Sequence, residues 1–114
     1  MDPHDQFRRE WGDQHKILRH QRQIVRFLEM CIDNWKEAIQ ETEEDKENLG
    51  SRGDAIIADM REELGKTENA MHRALMVIRN VVERIEVMVR QFINYIAEDN
   101  SLFQTAMIEE GVLP

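Results

Sequence analysis

Histidine, cysteine and carboxylate side chains are the groups in this chain that could do chemistry, and metal binding is the first chemistry to consider. The chain has four histidines and one cysteine. No histidine follows a glutamate by three residues, which is the Glu-x-x-His spacing of di-iron helical bundles. Glu68 and His72 lie four residues apart, but two ligands at this common spacing are typical of a surface pair. The sequence predicts no metal site.

Catalytic motifs are the next chemistry to look for. The sequence contains no glycine-rich phosphate loop and no nucleophile motif. Cys31 falls in a column of apolar residues, where a thiol usually behaves as a small buried hydrophobic group. We therefore expect no enzyme activity and no cofactor.

The tripeptide Arg52-Gly53-Asp54, which integrin ligands display, has a structural explanation. It lies in the stretch ENLGSRGDAII, where Gly50 stands where a helix C-cap glycine belongs. Gly53 can supply a positive φ, and Ser51 or Asp54 can cap the helix that follows. We interpret residues 50–53 as a bend between two helices rather than as an adhesion signal.

A heptad repeat runs on both sides of this bend and predicts an all-α fold of two long helices, over residues 5–49 and 54–98. If the chain folds back at the bend as an antiparallel hairpin, apolar residues meet in every layer of the seam between the helices. The layers pair Ile39 with Leu64, Ile32 with Met71, Val25 with Ile78, Leu18 with Ile85, and Trp11 with Phe92.

Further apolar columns flank this seam on both helices. They comprise Ile17, Ile24, Phe27 and Cys31 on the first helix and Leu75, Val82, Val89, Ile93 and Ile96 on the second. An isolated hairpin would leave them in water. Full burial of a large aliphatic side chain stabilises a protein by about 1.5–3 kcal/mol, so this exposure is unfavourable. We expect either a second copy, which would complete a four-helix bundle, or helices of other subunits to cover these columns.

A short apolar segment ends the chain. The heptad pattern stops at residues 98–101, a run of acids and capping residues, and residues 101–110 then form a predicted short helix. Its apolar residues are Leu102, Phe103, Met107 and Ile108. Two interpretations remain open for this helix: it folds back over the open end of the hairpin near Phe7 and Tyr95, or it docks in the groove of a partner protein.

Charge and hydropathy restrict the classes of partner. The net charge is −8, so a nucleic-acid partner is not expected. The longest apolar run, Ala74 to Ile78, is too short to cross a membrane. The first ten residues lack the apolar stretch of a secretory signal, and one cysteine cannot form an internal disulfide. These features predict an intracellular protein, cytoplasmic or nuclear.

Taken together, the patterns predict a single helical domain over residues 1–114 with a structural or protein-interaction role. The predicted partner is a protein, either a second copy in a homodimer or other subunits of a helical hetero-complex. The alternative is a small regulatory adaptor or inhibitor that docks a helix face or its C-terminal segment onto a partner protein.

Overall fold

The structure, a computed structural model, describes the backbone of residues 2–109 and the side chains of residues 2–99. Of this part of the chain, only Asp2, Asp45 and Gly50 lie outside a helix. The predicted all-α class is confirmed for the described residues, and the molecule is a long, extended pair of helices. The predicted short helix over residues 101–110 is described only as far as residue 109.

Helix α1 spans Pro3–Glu44 and begins two residues earlier than predicted. The side chain of Asp2 accepts a hydrogen bond of 3.0 Å from the His4 amide, and Pro3 occupies the first helical turn, where its missing N–H costs nothing. The helix ends at Glu44 instead of continuing to residue 49. Its last turn contains acids and no basic residue, which is unfavourable at the negative end of the helix dipole.

The connection between the long helices lies earlier than the predicted bend over residues 50–53 and runs from Asp45 to Gly50. A four-residue helix, α2, spans Lys46–Leu49, and α3 begins directly after Gly50. Gly50 has the only positive φ among the described residues, 62°. Gly53 is helical, so its expected role in a positive φ is wrong. Its lack of a side chain serves packing, because a Cβ at this position would stand 3.3 Å from the Leu49 Cβ.

Helix α3 spans Ser51–Glu109 without interruption, so the predicted break at residues 98–101 is wrong. Acids, Asn and Ser each lower helix stability by less than about 1 kcal/mol, and neither Gly nor Pro stands in this stretch to end the helix. Residues 101–109 therefore continue α3 and do not fold back over the open end. The side chains of Leu102, Phe103, Met107 and Ile108 lie outside the described residues.

Helices α1 and α3 lie side by side, and residue numbers rise along one as they fall along the other. Near the bend, Glu43 forms an ion pair with Arg61, and the Thr42 hydroxyl lies 3.7 Å from the Met60 sulfur. At the open end, the rings of Phe7 and Phe92 stack with centroids 4.1 Å apart. The open end is thus the end of the pair where residue 7 meets residue 92.

This stacking replaces one of the predicted layers. The sequence pairs Trp11 with Phe92, whereas the structure places the flat ring of Phe7 on Phe92 and leaves Trp11 against His15, with ring centroids 4.3 Å apart. Phe7 and Trp11 are one helical turn apart, so both satisfy the heptad spacing. The heptad pattern alone therefore does not decide which aromatic ring meets Phe92.

The hydrophobic core is a single line of seam residues. Its buried members are Leu18, Ile32, Ile39, Ile57, Ala74 and Val81. A compact domain of this length has a radius of gyration of about 13 Å, whereas the value here is 26.4 Å. The molecule extends 92 Å along its longest axis. Two helices alone provide one seam and no second layer of side chains.

Candidate protein-interaction surface

One side of the helix pair carries three shallow grooves, and we call it the groove face. The groove at the open end, about 230 Å³ in volume, is lined by Pro3, Gln6, Phe7, Glu10, Met88, Gln91, Phe92 and Tyr95. The two grooves nearer the bend share Trp35 and are lined by Ile56, Asp59, Met60 and Glu63 in one case and by Cys31 and Asn34 in the other. All three grooves open between side chains of the two helices or beside Trp35.

The predicted interface residues of α1 lie on this groove face. Pro3 and Glu10 line the first groove and Cys31 the third, and residues seven apart share one side of a helix in a coiled-coil-like pair. Ile17 and Ile24 continue the same seven-residue series between them. Phe27, seven residues before Asn34, lies beside this series.

Burial along this α1 series is incomplete in the single chain. Phe27 is 59% exposed and Ile17 is 40% exposed. Ile24 and Cys31 are half-buried. These four residues therefore form an apolar strip that α3 only partly covers.

The predicted interface residues of α3 lie on the opposite side, which we call the far face. Arg61 forms its ion pair with Glu43 across the seam, on the side away from the grooves. Residues at seven-residue spacing from Arg61 lie on the same side, and they include Leu75, Val82, Val89 and Ile96. Ile93 lies next to the last two of these. Leu75 is 45% and Ile93 58% exposed, while Val82 and Val89 are half-buried. The two predicted columns thus lie on different faces, and one partner helix cannot contact both.

Several exposed apolar residues of the groove face were missed by the sequence analysis. Ile56 and Val77 are each 38% exposed, and they belong to one seven-residue series that runs from Ile56 through Ala70. Val87, in the seven-residue series of Asp59, is 49% exposed. The signal was present in the sequence as small and apolar residues on α3 at seven-residue spacing, opposite the Ile17 series.

The groove face also carries charge at its rim. Asp59 and Glu63 line the groove next to Trp35. The Lys66 ammonium lies 3.1 Å from Glu63 and 3.8 Å from Glu62. The hydrogen bond with Glu63, followed by the attraction of both carboxylates, raises the pKa of Lys66 above its ordinary value. Lys66 is therefore a cation at neutral pH that compensates part of a predominantly acidic rim.

The part of the chain that the structure describes offers neither a metal site nor a membrane span. There, no three histidine, cysteine, aspartate or glutamate side chains come together as a metal site would require. None of the described helices combines the length and apolar character needed to span a bilayer.

Comparison of the chain with protein-family models, with curated proteins and with solved structures finds no match.

Proposed function

We propose that this chain is a non-enzymatic structural or protein-interaction subunit. In this proposal α1 and α3 form an antiparallel helical hairpin, and coiled-coil-like packing joins the hairpin to further helices in a homo-oligomer or a larger helical complex. The groove face and the far face are the two surfaces available for such packing.

The observation that supports the proposal most directly is the excess of exposed surface. A compact folded chain of this mass, 13.6 kDa, would expose about 6,600 Å². The accessible surface of this chain is 8891 Å². Twelve large hydrophobic side chains contribute to that surface, among them Phe27 and Met30 at more than half exposed. Those that share the groove face, Ile17, Phe27, Ile56 and Val77, provide exposed apolar surface of the kind that marks protein–protein interfaces.

Sedimentation velocity and thermal unfolding of the purified chain and of Ile24→Glu test the proposal. We expect the wild type to associate and to melt cooperatively. A glutamate at position 24 would place an unpaired carboxylate in the interface, at a cost of several kcal/mol, so this variant should dissociate or lose its cooperative transition. The matched control is Gln23→Glu, which adds the same charge at the neighbouring exposed position.

The far face is tested separately with Val82→Glu, since it lies on the other side of the helix pair. A loss of assembly in Ile24→Glu alone would assign the interface to the groove face, and a loss in both variants would indicate a complex with helices on two sides. A monomeric wild type that melts cooperatively and is unaffected by either glutamate would contradict the proposal.

The course of α3 favours a second candidate function, that of an adaptor that docks its C-terminal segment onto a partner. His4, in the first turn of α1, contacts Phe92 and Tyr95. Helix α3 then continues to Glu109, about 20 Å further at 1.5 Å per residue. Along this stretch α1 has ended, so α3 has no neighbour from the first helix.

Deletion of residues 101–114 separates the two functions. If the segment is a docking helix, the truncated chain should keep the melting temperature and the assembly of the full chain, because α1 does not pack against it. Hydrogen exchange of the full chain should then be fast across residues 102–108. A melting temperature lowered by several degrees, with slow exchange in the full chain, would instead show that the segment packs within the assembly.

A further inference from the structure

Charge alternates along the helix pair in three parts. The bend part, residues 31–70, holds five basic and twelve acidic side chains, a net charge of −7. The middle part, residues 15–30 with 71–90, holds eight basic and three acidic side chains, a net charge of +5. The open part, residues 1–14 with 91–114, holds two basic and eight acidic side chains, a net charge of −6.

These charges discriminate between the ways in which two copies can lie face to face. Copies that point in the same direction place the bend part of one on the bend part of the other, −7 against −7. Copies that point in opposite directions and overlap completely place −7 against −6 at both ends. Only an offset antiparallel arrangement places the acidic bend part of each copy on the basic middle part of the other. Among the charges on the groove face are Asp59 and Glu63 of the bend part and Arg84, in the series of Glu63, of the middle part.

We propose that the groove face binds a second copy of this chain in this offset antiparallel arrangement. This inference rests on the proposed function, and it identifies the partner as a second copy of the chain. The twofold axis then lies between the two groove faces, perpendicular to the helices. It is level with Cys31, at the boundary between the bend part and the middle part. Each helix of one copy lies antiparallel to the same helix of the other, so the result is a four-helix bundle in which neighbouring helices run in opposite directions.

The residues near this axis suit the close approach of helices. Cys31, Ala38 and Ala70 are small and half-buried. The larger exposed group Phe27 lies beside them on the same side of α1. Small groups at the centre let the helix backbones approach, and larger apolar groups beside them fill the layers on either side.

The overlap is also large enough for a specific dimer. The bend and middle parts together extend about 50 Å along the pair, at 1.5 Å per residue. With a width of about 20 Å for two adjacent helices, each copy would bury about 1,000 Å², compared with about 800 Å² per partner in a standard specific interface.

A spin label at the bend measures the arrangement. Ser51 is exposed and lies beside Gly50, so Ser51→Cys in a Cys31→Ser background places one label at each bend. Electron–electron resonance should then give a distance of about 60 Å between the two labels of the offset dimer. Complete antiparallel overlap would give about 70 Å, and copies that point in the same direction would give less than about 25 Å.

Charge exchange tests the same register independently. Arg84 continues the seven-residue series of Glu63 on the groove face and lies about 50 Å from the bend, while Asp59 lies about 12 Å from it. The offset arrangement brings Arg84 of each copy level with Asp59 of the other. Arg84→Glu or Asp59→Arg alone should weaken self-association about tenfold, because each change creates two like-charge contacts.

A mixture of the Arg84→Glu chain and the Asp59→Arg chain should restore association as a heterodimer, since both contacts then join opposite charges. The control is Arg22→Glu, which makes the same change in charge in the series of Glu43, on the far face. It should leave self-association within about twofold of the wild type.

The outcomes separate this inference from the proposed function. A dimer with a bend-to-bend distance of about 60 Å and charge-exchange rescue supports both. A dimer with either of the other distances, or without rescue, overturns the offset arrangement and leaves the proposed function standing. A monomer overturns the inference in every case. If that monomer melts cooperatively the proposed function falls with it, and if it lacks a cooperative transition a hetero-complex remains.

Discussion

The bend end and the open end of the helix pair follow the same heptad pattern but are packed differently. Near the bend, Ile39 and Ile57 are buried, and ion pairs join Lys46 to Asp54 and Glu43 to Arg61. At the open end the contacts are aromatic, and no described side chain in residues 2–17 or 82–99 is fully buried. An aromatic ring between only two helices has one opposing side chain to pack against, so part of the ring stays exposed. Aliphatic side chains of moderate size are small enough to bury one another.

Polar groups differ between the two ends in the same way. The Thr42 hydroxyl near the bend donates a hydrogen bond of 2.7 Å to the Ala38 carbonyl. At the open end, the Gln14 Oε1 and His15 Nε2 atoms are buried without a hydrogen-bond partner among the described residues. The bend end is therefore the better satisfied part of the molecule, and the open end is where further packing would bring the larger gain.

The largest expected effect is the loss of a buried aliphatic group near the bend. Ile57 is 5% exposed, so Ile57→Ala should lower the free energy of unfolding by about 3 kcal/mol. Phe7 at the open end is half-buried, and Phe7→Ala should cost about half as much despite its larger side chain. Urea unfolding at one fixed protein concentration measures both. An equal or larger loss in Phe7→Ala would remove the distinction between the two ends.

The second prediction concerns the polar groups of the seam. Gln14→Leu should raise the free energy of unfolding by about 1 kcal/mol, since it removes a buried acceptor that has no partner among the described residues. Thr42→Val, at a seam position near the bend, should lower it by about 0.5–1 kcal/mol, because its hydrogen bond is satisfied. The two changes should thus have opposite signs in the same unfolding assay. A loss of stability in Gln14→Leu would mean that Gln14 is already satisfied in solution.

Much of the fold could be predicted because the heptad repeat depends on local spacing. The all-α class and the line of buried residues, such as Leu18 and Val81, follow from that spacing. The break at Asp45 and the continuity of α3 past Ala97 do not, because each depends on a balance of helix propensities and end charges that is small compared with the energy of a long helix.

The candidate surface was predictable only in part, for a geometric reason. The spacing identified Ile24 and Val82 as residues outside the seam. The spacing alone did not show that these two residues lie on opposite faces. That follows only when it is known which flanking positions of α1 and α3 lie on the same side, and the ion pair between Glu43 and Arg61 shows this. Which aromatic residue stacks on Phe92 was likewise undecided, because ring shape rather than spacing determines it.

The third prediction compares two glycines of α3. A Cβ at Gly65 would have no other atom within 4 Å, so Gly65→Ala should stabilise the helix by about 0.5–1 kcal/mol. A Cβ at Gly53 would stand 3.3 Å from the Leu49 Cβ and 3.3 Å from the Lys46 Cγ, so α2 would have to shift. We expect Gly53→Ala to cost about 0.5 kcal/mol in spite of its better helix propensity. Equal gains in both variants would show that α2 does not pack closely on α3.

The smallest expected effect concerns Lys66, on the bend half of α3. Its hydrogen bond to Glu63 and the charges of Glu63 and Glu62 raise its pKa in the folded chain. A raised pKa stabilises the folded state below the ordinary lysine pKa, and this contribution is lost as the pH rises through the folded-state value. The contribution of Lys66 to stability should therefore be constant around neutral pH and should decline with its deprotonation only in strongly alkaline solution.

An NMR titration of the Lys66 side chain in the wild type, Glu63→Gln and Glu62→Gln measures this coupling. Glu63→Gln should lower the pKa of Lys66 more than Glu62→Gln, because the ammonium lies 3.1 Å from Glu63 and 3.8 Å from Glu62. The thermal stability of both variants at pH 7 should stay close to that of the wild type, since exposed ion pairs of this kind contribute little. If Glu62→Gln lowers the pKa more, Glu62 is the main partner of Lys66 in solution. Ion pairs on the surface near the bend would then be too mobile to distinguish this end from the open end, and the buried aliphatic layer around Ile57 alone would distinguish them.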